Sequence, residues 1–309
     1  MRQKTVGAKP KTKTQKPEKI RRDKREKRER LSTSLFILPS FFGVALFFLL
    51  PFLVVGYYAV IDNPIRAQFV GLRNFAALFS NTAFKLAARN TAVFSAIAVP
   101  LAVVIPLFFA ILLMRKIPAG SVFKTVLISP LMVPTASVVL IWEVLFHYNG
   151  TVNGFLTSFG LDKIDFFKSD FAVGIIVCLF LWKNIGYNMI LFMSALSNIP
   201  TEITEACMLD GAGPWRVFFR IKIPYISSSI LFVMILSLIN SFKIFREIFL
   251  MTGKYPYEKL YMLQHFMNNT FDSLDYQKLS AAAIVMCAVM IVIIGILFFA
   301  EDRLGRDAE

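Results

Sequence analysis

The sequence predicts an all-α membrane protein of six transmembrane helices, and three observations carry that expectation. Of 309 residues, 56% have hydrophobic side chains and 17% are charged, whereas a soluble domain usually has about 45–50% apolar and about 25% charged residues. Uncharged runs long enough to cross a hydrocarbon core of about 30 Å, which takes roughly 20 helical residues, recur along the chain. The Lys and Arg side chains that give a formal net charge of +14 gather between alternate runs instead of spreading evenly.

Residues 1–31 read as a basic tail, with 14 Lys or Arg against 4 Asp or Glu in the first 30 positions. The density would suit phosphate neutralisation, but no aromatic side chain is present for stacking and an apolar run follows at once. The tail is therefore an orientation signal resting on anionic lipid, and no nucleic acid is expected as a partner. A secretory signal is excluded, because the positive region is too long and no small-residue cleavage site follows.

A transmembrane domain fills residues 32–300, with spans near 35–60, 88–114, 125–146, 171–196, 223–250 and 279–300, and a short tail closes the chain at 301–309. An even number of spans puts both termini on one side. Basic residues in short loops mark the cytoplasm, and Arg115, Lys116, Lys124, Arg216, Arg220, Lys222, Arg303 and Arg306 all fall on the side of the tail. Arg89 and Lys278 belong to the sparser, outer face.

Cys178, Cys207 and Cys287 lack metal-ligand spacing and read as free thiols used as small apolar residues. His147 and His265 fall on or near the outer face as solvated or interfacial side chains, and no metal site is expected. A phosphate-cradling Gly-x-x-x-x-Gly-Lys-Ser/Thr loop is missing, no Ser-His-Asp arrangement is discernible, and the soluble segments leave no room for a catalytic domain. The chain reads as a non-enzymatic subunit whose energy comes from another polypeptide.

The segment 200–224, between the fourth and fifth spans, is the most informative. Pro200 and Thr201 open a short helix, and Glu202 and Glu205 lie early in it, where the helix dipole favours negative charge. Asp210 and Gly211 close it, with Gly211 as a left-handed terminator. Pro214 suits the first turn of a second helix carrying Trp215 and Phe218 as apolar knobs and Arg216 and Arg220 as polar contacts. Such a helix-turn-helix suits docking into a groove on a partner.

Glu205-Ala206-Cys207-Met208-Leu209-Asp210-Gly211-Ala212, then eight residues, then Ile221-Lys222-Ile223-Pro224, resembles the EAA loop of ABC-importer permeases, departing only by Cys207 in place of Ala. The resemblance implies a type I ABC importer permease fold in which this cytoplasmic loop couples to an ATPase through Glu205, Ala206, Asp210, Gly211, Ala212, Ile221 and Pro224. It extends from about residue 35 to the end. Gly71-Leu72-Arg73-Asn74-Phe75, Asn90-Thr91, Gly150-Thr151-Val152-Asn153, Trp182 with Gly186-Tyr187, and Ile199-Pro200 are similar to the carbohydrate branch typified by maltose and glycerol-3-phosphate permeases. Met251-Thr252-Gly253 before Pro256 departs from that branch by losing a second Gly. The resemblance further implies a second permease subunit, two ATPases that hold ATP and Mg, an extracytoplasmic solute-binding protein and a sugar cargo, with no cofactor on this chain itself.

Ionisable groups within spans are functional candidates, since placing one at mid-helix costs about 2.5–3.5 kcal/mol. Lys183, Asn184 and Tyr187 on the fourth span, and Ser237, Asn240, Ser241, Lys243 and Ile244 on the fifth, mark two polar faces read as the substrate path. Aligned with the maltose-type permease, Asn184, Tyr187, Ser237, Ser241 and Ile244 fall at sugar-contacting positions, and Tyr187 and Ser237 keep the residue type. The alternative is that the polar groups join helices to one another. Lys243 and Arg246 would favour an anionic sugar, unless they meet Glu247 or lipid headgroups. A permease for a non-sugar solute and an ion-coupled carrier are the competing functions. The first fits the matches around Asn74 and Thr252 poorly, and the second usually shows internal repeats, of which none is evident.

Overall fold

A computed structural model describes residues 37–115, 118 and 120–306 of the chain. The basic tail at 1–31, Lys116 and residues 307–309 lie outside the described residues. The chain divides into two units at Val54. The first contains most of helix α1 (Ile37–Ala59), which has a π-helical stretch at Ala45–Leu49. Phe41, Phe42, Phe47 and Phe48 are all exposed, so the helix is apolar on every side, as hydrocarbon surroundings require.

The second unit carries α2 (Arg73–Ser80), α3 (Thr82–Met114), α4 (Gly120–Met132), α5 (Thr135–Phe146), α6 (Thr151–Ser158), α7 (Ala172–Ser197), α8 (Thr201–Leu209), α9 (Pro214–Val217), α10 (Ser227–Lys243), α11 (Phe245–Thr252), α12 (Leu263–Asp272) and α13 (Tyr276–Arg306). Among the described residues the only strand-like pairing is an isolated bridge between Ile61 and Phe69. Among the described residues five helices are long and apolar enough to cross a membrane, and the bent pair from Gly120 brings the number to six when counted as one broken span.

That bent pair corrects the continuous helix expected over 125–146. The chain turns by 103° between Met132 and Thr135. Pro134 pushes Val133 out of the helical region, and Pro130 removes a helical donor one turn earlier, so the ladder fails where hydropathy continues. The second span starts earlier than expected, at Thr82, because the Asn81 side chain accepts from the Phe84 amide and caps it. The fifth starts later, at Ser227, after a π-helical stretch at Phe218–Lys222 and a single turn at Ile223–Tyr225.

α3 and α7 form the centre of this unit. Ala87, Ala98, Ala102 and Ala110 of α3 are fully buried, so small side chains let neighbouring backbones approach. Phe94 and Phe180 meet edge to face at 5.6 Å between ring centroids. In a bilayer such contacts replace lipid rather than water, so fit and dispersion hold the helices together more than transfer from water does. Gly186 shows how tight the fit is: a Cβ there would lie 2.2 Å from the Leu127 carbonyl oxygen of α4.

Several motif residues turn out to secure backbone. Asn74 donates to the carbonyls of Ala59 and Ile61 at 3.0 and 2.8 Å. Asn90 donates to those of Glu258 and Tyr261 at 2.7 and 3.1 Å, and the Thr91 hydroxyl accepts from the Leu263 amide at 2.8 Å. Asn153, fully buried, donates to the carbonyls of His147 and Ile164 and accepts from the Ile164 amide. Each amide thus satisfies polar backbone in segments without a regular ladder.

His265 corrects the expectation of a solvated or interfacial side chain, for it is fully buried. Its Nδ1 accepts from the Met262 amide at 3.2 Å, capping α12, and its ring packs against Phe245 at 4.6 Å. Burial pushes its pKa down from 6.5 to about 4. His147, by contrast, is exposed.

Candidate functional site

Two regions collect the residues singled out in the sequence. The first is the hairpin of α8 and α9. Glu202 sits in the first turn of α8, no residue of that helix is buried, and Glu205 and Ala206 are exposed on it. Gly211 has φ of +82°. The Gly211 amide donates to Met208 and the Ala212 amide to Cys207, both at 3.0 Å, so two terminal carbonyls of α8 are satisfied by a left-handed turn. Asp210 is the residue before that turn, and Pro214 opens α9 at its first position.

The apolar knobs differ by one residue from the expected pair. Trp215 and Phe219 stack, with centroids 5.9 Å apart and planes 13° off parallel, while Phe218 is half-buried. Trp215 and Phe219 are four apart in a region that winds into the π-helical stretch, which turns Phe219 outward. With Leu209, 88% exposed, they give the hairpin an uncovered apolar surface. Ile221 and Pro224 are half-buried at its base.

The second region is a cavity of about 300 Å³ where α4 bends into α5 and where α10 gives way to α11 at Ile244. Its walls include Pro130, Val133 and Thr135 from the bend, Lys183 and Asn184 from α7, and Asn240, Lys243, Arg246 and Glu247 from α10 and α11.

Its polar groups are arranged in two layers. Asn240 donates to the Asn184 side-chain oxygen at 3.0 Å, and Asn184 donates in turn to the Phe180 carbonyl at 2.8 Å. Above this amide pair, the Lys183 ammonium pairs with the Glu247 carboxylate and lies 3.4 Å from the Thr135 hydroxyl. Glu247 is buried and Lys183 partly so, whereas Lys243 and Arg246 are exposed and have no ion-pair partner among the described residues.

The structure therefore brings together Lys183, Asn184, Asn240, Lys243 and Ile244, and leaves three other path candidates elsewhere. Tyr187 lies one turn along α7, exposed and outside the cavity lining. Ser237 and Ser241 are buried between helices: Ser237 accepts from Asn188 at 3.1 Å, and Ser241 shares a hydrogen bond with Ser95 at 2.8 Å. Sequence reasoning did not anticipate the Lys183–Glu247 pair or the part played by Thr135. The signal available was the lone acid of the fifth span lying where a helix breaks.

Comparison with known proteins adds the following. Residues 75–308 match the family described as binding-protein-dependent transport system inner membrane component. The chain is 31% identical over 268 residues to the sn-glycerol-3-phosphate transport system permease protein UgpA of Yersinia enterocolitica, covering 85% of this chain and 90% of that one. It is 30% identical over 272 residues to UgpA of Salmonella choleraesuis, covering 86% and 92%. In structure it is similar to a bacterial ABC transporter involved in the import of the acidic polysaccharide alginate, with a TM-score of 0.78 at 22% identity over 92% of this chain and 99% of that one. A bacterial alginate ABC transporter in complex with an alginate pentasaccharide-bound periplasmic protein gives 0.77 at 22% identity, over 91% and 97%.

Proposed function

We propose, from the premise that this chain belongs to the binding-protein-dependent transport system inner membrane component family, that it is the membrane-spanning permease subunit of an ATP-driven sugar importer. The observation that carries the reading is the pairing of two features on α7 and its neighbours. At one end of α7 an exposed helical hairpin offers Leu209, Trp215 and Phe219 to a partner. Farther along α7 lies a polar cavity at two interrupted helices, the setting in which transporters commonly hold cargo.

In this reading the hairpin docks on a cytoplasmic ATPase, one of two that hold ATP and Mg, and this chain takes no cofactor of its own. A second permease subunit completes the path, and a solute-binding protein delivers sugar from the outer face. Closure of the ATPases moves the docked hairpins together and tilts the helices between inward and outward openings. The loops rich in Lys and Arg support a cytoplasmic position for both termini and the hairpin. The curated relatives are named for glycerol-3-phosphate and the structural neighbours for alginate, which supports a sugar or sugar-like cargo.

The test is reconstitution of the whole importer in proteoliposomes with its binding protein. Sugar uptake is expected only with ATP and binding protein together. Uptake driven by a proton or sodium gradient without ATP would overturn the reading in favour of a carrier.

A further inference from the structure

The sequence left three readings of the fifth-span cations open: a contact with Glu247, a contact with lipid headgroups, or recognition of an anionic sugar. The structure removes the first, because the Glu247 carboxylate is buried against Lys183. Of four charged groups lining the cavity, one cation and the anion neutralise each other and two cations remain. Lys243 and Arg246 stand three residues apart, on either side of the junction at Ile244, so both side chains belong to the same wall. Neither has an ion-pair partner among the described residues, and both line the cavity. Keeping two such cations at a cavity is explained when an anion visits it.

We infer that the cavity between the bend at Val133–Pro134 and the junction at Ile244 selects a cargo carrying a carboxylate or phosphate, with Lys243 and Arg246 reading the charge and the Asn184–Asn240 amide pair reading neighbouring hydroxyls. Arg246 supplies a planar fork that matches either oxyanion, and Lys243 a point charge. Glu247 sets the selectivity by cancelling Lys183, so the cavity attracts one or two negative charges without holding them too tightly to release. A volume of about 300 Å³ lies at the small end of ligand pockets, which run about 300–1,000 Å³, and fits one charged sugar unit at a time. Anionic lipid headgroups share this chemistry, and the vesicle composition in the test distinguishes them from cargo. That cargo is the occupant rests on the importer reading; the charge preference itself does not.

The experiment separates the two. Cys178, Cys207 and Cys287 are changed to Ser and a single thiol is placed on the cavity wall as Leu131→Cys in the complete importer, reconstituted in phosphatidylcholine vesicles with or without phosphatidylglycerol. Labelling rates are compared for anionic and cationic methanethiosulfonates of similar size. The anionic-to-cationic ratio is expected to fall about tenfold when Lys243→Gln and Arg246→Gln are combined, and to be retained in Lys243→Arg with Arg246→Lys. An unchanged ratio in the Gln pair overturns the inference. A preference that vanishes when phosphatidylglycerol is added assigns the cations to lipid and also overturns it. In ATP-driven uptake, the Gln pair should lose a uronate trisaccharide far more than a neutral trisaccharide, and transport of the neutral sugar alone by the unmodified protein counts against anionic cargo. A preserved labelling preference with no ATP-dependent uptake of any sugar counts against the importer reading instead.

Discussion

The side-chain amide of Asn188 donates to the carbonyl of Ala102 at 2.8 Å. That carbonyl is the acceptor that the residue four positions on would normally fill, and the residue there is Pro106, which has no N–H. A polar side chain of α7 thus replaces a backbone donor missing from α3, and its other contact, to Ser237, extends the bridge to α10.

Asn188→Leu should therefore cost about 1–3 kcal/mol, the penalty of leaving buried polar groups unpaired. In a Pro106→Ala background the helix supplies its own donor, and the cost of Asn188→Leu should drop by about 1 kcal/mol. Unfolding of the four variants in detergent measures the coupling. Equal losses in both backgrounds would show that the amide does not serve the proline gap.

For Lys183 and Glu247, removing either partner leaves a largely buried charge without its counter-ion. Lys183→Leu or Glu247→Leu alone should destabilise by about 3–5 kcal/mol, and the double change by much less. A double-mutant cycle on thermal unfolding tests this, and additive single losses would argue against the pair.

Gly211 adopts φ of +82°, where a side chain costs roughly 1–2 kcal/mol. Gly211→Val, or Glu205→Lys on the exposed face of α8, should abolish uptake and stimulation of the partner ATPase while the chain stays in the membrane, with a melting temperature lowered by only a few degrees for Gly211→Val and nearly unchanged for Glu205→Lys. Normal coupling with either change would remove the hairpin from its docking role.

His265 titrates against folding. Its folded pKa, about 4, lies below the unfolded value of 6.5 because burial disfavours the charged form. The unfolded chain binds the extra proton first as pH falls, so this contribution is fully present above about 6.5 and is lost progressively towards pH 4. The loss amounts to about 3 kcal/mol. Melting followed from pH 7.5 to 4 should show it, and His265→Gln should flatten that part of the profile. An identical profile in the variant would contradict the assignment.

The proposed orientation rests on the positions of Lys and Arg. In sealed cells Asp162→Cys and Ser273→Cys should react with a membrane-impermeant thiol reagent, and Leu209→Cys only after permeabilisation. All three side chains are exposed, so access rather than burial decides. Labelling of Leu209→Cys in sealed cells would invert the arrangement.

What was legible in the sequence was local. The α8 turn depends on Gly211 and Pro214 and their neighbours, so a short string of residues defines it. The bend after Met132 was obscured because Leu131, Met132, Val133 and Val138 carry the apolar signal across it, even though Pro130 and Pro134 mark the place. The cavity depended on relations a single helix cannot encode. Helical periodicity gives the angle of Tyr187, Ser237 and Ser241 around their axes, but neither their height along the bundle nor which neighbour covers them. Lys183 and Glu247 meet across 64 positions, through the rotation of α7 against α11. His265 was misjudged because its surroundings, Phe245 and Phe249, come from another helix.

The segment between Gly253 and Met262 is held through its peptide carbonyls, by Asn90 and Asn269, and by the buried Leu260 side chain, and not by its exposed side chains. Lys254 and Lys259 add surface ion pairs, to Asp272 at 2.6 Å and Asp170 at 2.7 Å, of a kind that contributes little. The shape of this surface is consequently independent of what decorates it. Tyr255, Glu258 and the two lysines can be exchanged while the main chain keeps its course, so the chemistry of this surface can diverge without rebuilding the scaffold.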